Sequence, residues 1–177
     1  YMLPESLFEA LLCFILGIAV RESRDRDMRG TNLYQPHNTM LIHVSRFVRW
    51  QNKTKILVDE ALEQIIQRLS GDPAEPGSIY SDLERVWLKR CEDIVGGISS
   101  MLPRNYSDPF MRPVTFSAIR DSIPMFIRDI EVKALNSVTK DKLKYKRDNP
   151  RKVIVIGGNR LSRGFTLEGL TVSYFVR

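Results

Sequence analysis

The sequence predicts an α/β domain with a mainly parallel sheet flanked by helices, and three observations carry that expectation. Four short apolar, strand-like runs lie at residues 39–44, 130–135, 153–156 and 172–176. Stretches with apolar residues at helical spacing precede the first run and separate it from the second. The chain has 177 residues, 43% hydrophobic and 27% charged, which suits one domain with a sizeable core and argues against disorder. Strands interleaved with helices are the mark of sheets whose parallel strands are joined by crossovers.

In chain order, Leu7, Phe8, Leu11, Leu12, Ile15, Leu16 and Ala19 recur at helical spacing, with Pro4 and Glu5 suited to a first turn. Arg21 to Gly30 is mixed in charge and reads as a solvated helix end and loop. Thr39 to Val44 is β-prone and apolar, the first strand. Val58, Leu62, Ile65, Ile66 and Leu69 then mark the inner stripe of a long helix, broken by the Gly/Pro-rich stretch at 71–77. Ser81 and Glu84 have capping-box spacing, so the next helix is expected to start there, with Leu83, Val86, Trp87, Cys91 and Ile94 on its apolar face. Residues 99–114 contain Pro103, Pro109 and Pro113 and read as loop. Thr115 is placed to cap a short helix through Ile119 and Ile123, which Pro124 ends or kinks. Ile130 to Leu135 alternates like a half-buried strand. Residues 140–152 are polar and basic, and two further apolar strands follow.

The formal charge of +6 permits a polyanionic partner. Cys13 and Cys91 are the only cysteines, so a disulfide framework is not expected and a reducing cytoplasm is the simpler setting. The apolar run Ala10 to Val20 is too short to span a bilayer, and its arginines follow it rather than precede it; a buried helix is expected, with no membrane partner. A start at Tyr1 and an end at Arg177, directly after a strand, suggest a fragment of a longer protein.

In an open parallel sheet, functional loops lie at the carboxyl ends of strands. The loop after Ile156 is the most informative. A buried strand runs into Gly157 and Gly158, where glycine lets the backbone turn tightly and approach a ligand closely. Exposed amides of such a loop can bind phosphate oxygens, and Arg160 and Arg163 add fixed positive charge. A plain glycine turn with solvated arginines would look the same by residue type.

The run from Ile156 to Arg177 resembles the hallmark of the Z-one domain family of proposed bacterial endonucleases. The matching residues are Ile156, Gly157, Gly158 and Asn159, then Leu161, Ser162, Arg163 and Gly164, then Thr166 to Leu170, then Ser173, Tyr174, Phe175 and Arg177. Residues 40–46 (MLIHVSR) and the helix with Leu7, Glu9, Ala10 and Phe14 also resemble blocks of that family. The family is similar to the second RecA-like lobe of superfamily-two helicases, where Ser162-Arg163-Gly164 would fall on the motif that couples nucleic-acid contact to nucleotide. Gly158 stands where helicases usually carry Thr, and Thr166 where they carry Asp. The phosphate-cradling GxxxxGK[ST] loop is absent from the chain. The resemblance implies a partial, C-terminally truncated RecA-like helicase C-terminal lobe at 39–177, preceded by a leading helix and charged loop at 1–38 and carrying a helical insertion at about 78–128. It implies ATP and Mg²⁺ in the full-length protein and none in the fragment, which is expected to be inactive alone. Its partners would be DNA and the remaining domains of the parent chain. The nucleotide-responsive loop would comprise Gly157, Gly158, Asn159, Ser162, Arg163 and Gly164.

Three further groups are candidates. His43, Ser45 and Arg46, at the end of the first strand, could position a phosphate backbone through a hydroxyl and a cation, or could be ordinary strand-end surface. The basic stretch around Tyr145, with Lys144 and Lys146, could track a nucleic-acid strand by charge and stacking, or could be a solvated connection. Asp129, Glu131 and Lys133 have the acid-x-Lys spacing of metal-dependent nucleases, but strand alternation explains Glu131 and Lys133 equally. A metal site at His37 and His43 lacks any accompanying carboxylate or cysteine cluster. The function the resemblance implies is a helicase-like, ATP-dependent DNA-engaging module of an endonuclease of the restriction or defence kind. The alternative is a noncatalytic nucleic-acid- or protein-binding module on a degenerate RecA-like scaffold.

Overall fold

A computed structural model describes residues 3–106, 108–136, 143–158 and 166–176, apart from the side chains at positions 95, 96 and 99. Its centre is a four-stranded sheet of β1 (Asn38–His43), β2 (Ile130–Leu135), β3 (Lys152–Gly157) and β4 (Leu170–Phe175), in the order β2-β3-β1-β4. All three pairings are parallel. The sheet is flanked by helices, as expected, and is consistent with a RecA-like α/β fold.

The helices are α1 (Glu5–Met28), α2 (Val48–Arg68), α3 (Ile79–Arg90), α4 (Glu92–Met101), α5 (Phe116–Arg120) and α6 (Ile123–Phe126). One large cluster joins Met40, Ile42, Ile154 and Ile156 of the sheet to the apolar residues of α1, α2, α3, α5 and α6. The middle of α1 is buried nearly all round, with Leu11, Leu12, Phe14, Ile15, Leu16, Ile18 and Ala19 fully inaccessible. That explains its continuous apolar run: a helix enclosed by a sheet and other helices has no polar face to keep.

The opposite face is covered differently. Val153, Val155 and Leu135 pack beneath Leu41, Leu143, Tyr145 and Leu167, which include residues from two non-helical segments. At its amino edge, buried His37 organises both segments. Its Nδ1 accepts a hydrogen bond from the Arg151 amide at 3.2 Å, and its ring lies 4.8 Å from that of Tyr145. The Thr39 hydroxyl bonds the Tyr145 hydroxyl at 2.9 Å and donates to the Glu168 carbonyl at 2.7 Å.

Several boundaries differ from expectation. Helix α1 continues through the mixed-charge stretch to Met28. There, Arg21 donates to the carbonyls of Gln35 and His37, and Lys152 Nζ meets Glu22 at 2.8 Å, so polar contacts replace apolar packing. The cap of α3 is Ser78, whose side chain accepts from the Ser81 amide at 3.3 Å, three residues before the expected start. The expected single helix through Ile94 breaks at Cys91 into α3 and α4, and α4 extends to Met101. Pro124 falls in the first turn of α6, where a missing amide costs no internal bond. Cys13 and Cys91 are free thiols. Among the described residues, no helix is long and apolar enough to cross a membrane.

Candidate nucleic-acid interface

The parallel register brings all four strand ends to one edge: Phe175 of β4 stands beside His43 of β1, which stands beside Gly157 of β3, which stands beside Leu135 of β2. Gly157 is the last residue of β3 rather than a turn, and its carbonyl accepts the Val44 amide at 2.9 Å. Gly158 holds the more demanding position. A Cβ there would lie 2.9 Å from both the Arg46 Cα and the Ser45 carbonyl oxygen, and 3.1 Å from Gln51 Nε2. Glycine is thus required because the loop after β3 presses on the loop after β1. Buried Gln51 locks the junction by donating to the Ser45 carbonyl at 3.1 Å. Asn136, just after β2, donates to Asn52 at 3.4 Å and ties that strand end to α2.

His43, Ser45 and Arg46 therefore sit with Gly157 and Gly158 at the carboxyl edge. The His43 ring packs against Phe175 at 5.4 Å, and Arg46 lies 5.3 Å from the Phe47 ring centroid. Ser45 and Arg46 are exposed. The remaining members of the expected nucleotide-responsive loop, Asn159, Ser162, Arg163 and Gly164, lie outside the described residues.

The basic stretch is placed elsewhere. Tyr145 bonds Thr39, near the amino end of β1, four residues and about 13 Å of strand from His43. Burial raises the Tyr145 phenol above its ordinary pKa, against the lowering effect of its bond to Thr39. The aromatic imagined as a stacking platform is thus a fastening of the sheet's second face. Lys144 and Lys146 beside it are exposed. The structure does not bring them together with His43 and Arg46.

The acid-x-Lys group is internally paired. Glu131 meets Lys133 at 3.2 Å and Arg151 at 3.6 Å, while Asp129 meets Lys152 at 3.6 Å. Strand alternation and these ion pairs account for all three residues. Among the described residues, no group of three or more His, Cys, Asp or Glu could hold a metal ion. His37 is buried beneath Tyr145 instead, and burial lowers its pKa from the usual imidazole value.

Residues that sequence patterning did not single out complete the carboxyl edge. From Val44 to Val58 the chain carries Arg46, Arg49, Lys53 and Lys55 with Phe47 and Trp50, and no acidic residue. Helix α2 begins here without an acidic residue in its first turn or a side-chain cap, so its positive end is uncompensated. Phe47 and Trp50 are more than half exposed, at 57% and 52%. Beside Trp50 opens a cavity of about 310 Å³ between the start of α1, the first turns of α2 and the ends of β1 and β4.

A family model of the Z1 domain matches residues 6–177. The chain belongs to the Z1 domain family. No curated protein and no solved structure matches it. In this Z1 domain the hallmark glycines and the MLIHVSR block, far apart in sequence, meet in one contact at Gly158.

Proposed function

We propose that this Z1 domain is the nucleic-acid-engaging lobe of a larger, helicase-like ATPase within an endonuclease of the restriction or defence kind. The observation that supports this reading most is the packing of Gly158 against Ser45 and Arg46. One loop is expected to sense nucleotide and the other to hold a phosphate backbone. Gly158, at the root of the glycine loop, leaves no room for a methyl group against Ser45 and Arg46, so a displacement at Gly158 would be passed to the loop after β1. Arg46 supplies a cation, Ser45 a hydroxyl, and the start of α2 an uncompensated positive end, all suited to phosphate.

ATP and Mg²⁺ fit these residues only in part. The chain has no GxxxxGK[ST] loop, and the described residues offer no acidic cluster for the metal. The nucleotide would be held chiefly by the remaining domains of the parent chain, and the resemblance assigns Arg163 and the glycine loop the role of responding to it. DNA-stimulated ATP hydrolysis by the full-length protein tests the reading. Arg163→Ala should lower the stimulated rate at least tenfold while leaving the melting temperature unchanged. A wild-type rate would reject the coupling role.

A further inference from the structure

We propose that the cavity beside Trp50 seats one unstacked base of a single-stranded nucleic acid, with the indole as its stacking surface. The inference rests on the nucleic-acid reading of the carboxyl edge and narrows it to a strand form and a contact.

The cavity is lined by Leu7, Val44, Leu57 and Val176 together with Trp50. Its volume of about 310 Å³ falls at the lower end of the range for small-molecule sites, suited to one planar group. Trp50 is 52% exposed, whereas Trp87, the other tryptophan of the chain, is 2% exposed within the core. A large aromatic left half in water in the wall of an apolar recess contributes little to folding where it stands; it is placed to cover a second flat, apolar surface.

Charge selects the occupant. An apolar recess alone would suit a hydrophobic peptide side chain equally. Here cations stand close by: Lys53 lines the cavity with its Nζ 5.9 Å from the Trp50 ring centroid, and exposed Arg46 and Arg49 lie within the four residues before Trp50. The stretch 44–58 itself contains no acidic residue. A ligand that offers a flat ring joined to phosphates meets both demands, and aromatic platforms within cationic grooves are how single strands are held without sequence reading. Bases in an intact duplex are already stacked, so the recess favours a single strand or a locally opened duplex.

Intrinsic fluorescence offers a direct readout, because only one tryptophan is exposed. Titration of the purified protein with a single-stranded thymidine oligonucleotide should quench Trp50 emission. An abasic oligonucleotide of the same length should bind without that quenching. Trp87→Phe should keep the quenching, Trp50→Ala should abolish it and weaken single-strand binding about 5- to 150-fold, and Trp50→Phe should restore most of the affinity. Equal binding of single-stranded, abasic and duplex DNA, unaltered by Trp50→Ala, would overturn the base seat while leaving the nucleic-acid reading intact. Absence of binding to every nucleic acid would remove that reading as well. Acrylamide accessibility of Trp50 in the full-length protein separates the remaining case: an indole shielded without nucleic acid would mean that protein fills the recess, and would overturn the proposal.

Discussion

Three glycines show how differently one residue type can be used. At Gly169 φ is +66°, and a Cβ would fall 1.8 Å from the His37 carbonyl oxygen. The backbone there must pass against the start of β1, and Thr39 donates its amide to the Gly169 carbonyl at 2.9 Å. At Gly158 the obstruction is a backbone contact at 2.9 Å without positive φ. At Gly77 φ is +77° but the space is open. Replacement by alanine should therefore rank in cost. Gly77→Ala should lose about 1–2 kcal/mol from left-handed strain. Gly158→Ala should lose about 1–3 kcal/mol from overpacking. Gly169→Ala combines both faults and should be the most destabilising. Urea unfolding of the three variants checks the order; a Gly169→Ala protein as stable as wild type would contradict the tie to His37.

The same scale governs a pH effect. His37 is buried, and burial lowers its pKa; Glu168, 3.8 Å away, opposes the shift, while Arg151 and Arg21 reinforce it. The folded state thus prefers the neutral ring. Above the unfolded imidazole value of about 6.5 both states are neutral and nothing is lost. As pH falls below that value the unfolded chain takes up the proton first, so stability declines until the lowered folded pKa is passed. Thermal melting between pH 7.5 and 5.5 should show this decline. His37→Gln should melt lower at every pH but with a shallower slope; an undiminished slope would assign the effect to other groups.

At the scale of elements, legibility followed burial. Three strands were readable because β1 and β3 contain short buried apolar runs and β2 alternates; β4, largely exposed, was readable only as a short apolar run. The core of α1 was readable for the same reason, whereas its charged last turns were not, since Arg21 and Glu22 are held by polar contacts that no periodicity reveals. The α3 cap was misplaced because Ser81 and Glu84 have capping-box spacing, whereas it is the Ser78 side chain that meets an amide. Ser45, Arg46 and the glycine loop were legible as motifs, yet the packing of Gly158 on Ser45 and Arg46 was not, because 112 positions separate Arg46 from Gly158. Trp50 was missed because a half-exposed aromatic in the first turn of an amphipathic helix resembles an outlier of the inner stripe. The signal was the absence of acid among four cations and two aromatics at 44–58. Tyr145 shows the converse: an aromatic among lysines suggested stacking, but its ring and hydroxyl are taken by His37 and Thr39.

At the scale of the molecule, the sheet has two unlike edges. The amino edge is closed by His37, Thr39, Tyr145 and Glu168, whose polar groups mostly satisfy one another. The carboxyl edge gathers exposed cations, exposed aromatics and the positive end of a 21-residue helix. Lys144 and Lys146 belong to neither group of contacts, so they serve as a control for charge alone. As only one lobe of the proposed motor, the 177-residue chain should hydrolyse ATP negligibly with or without DNA, and robust turnover would contradict the divided site. The central claim is that the carboxyl edge holds nucleic acid. Fluorescence anisotropy of a labelled oligonucleotide across a salt series tests it most directly. Affinity should fall steeply with salt, Arg46→Ala should weaken binding and reduce the slope by about one, and the Lys144→Ala/Lys146→Ala pair should weaken binding less than Arg46→Ala does. Salt-independent binding, or a larger loss from the lysine pair than from Arg46, would contradict the account.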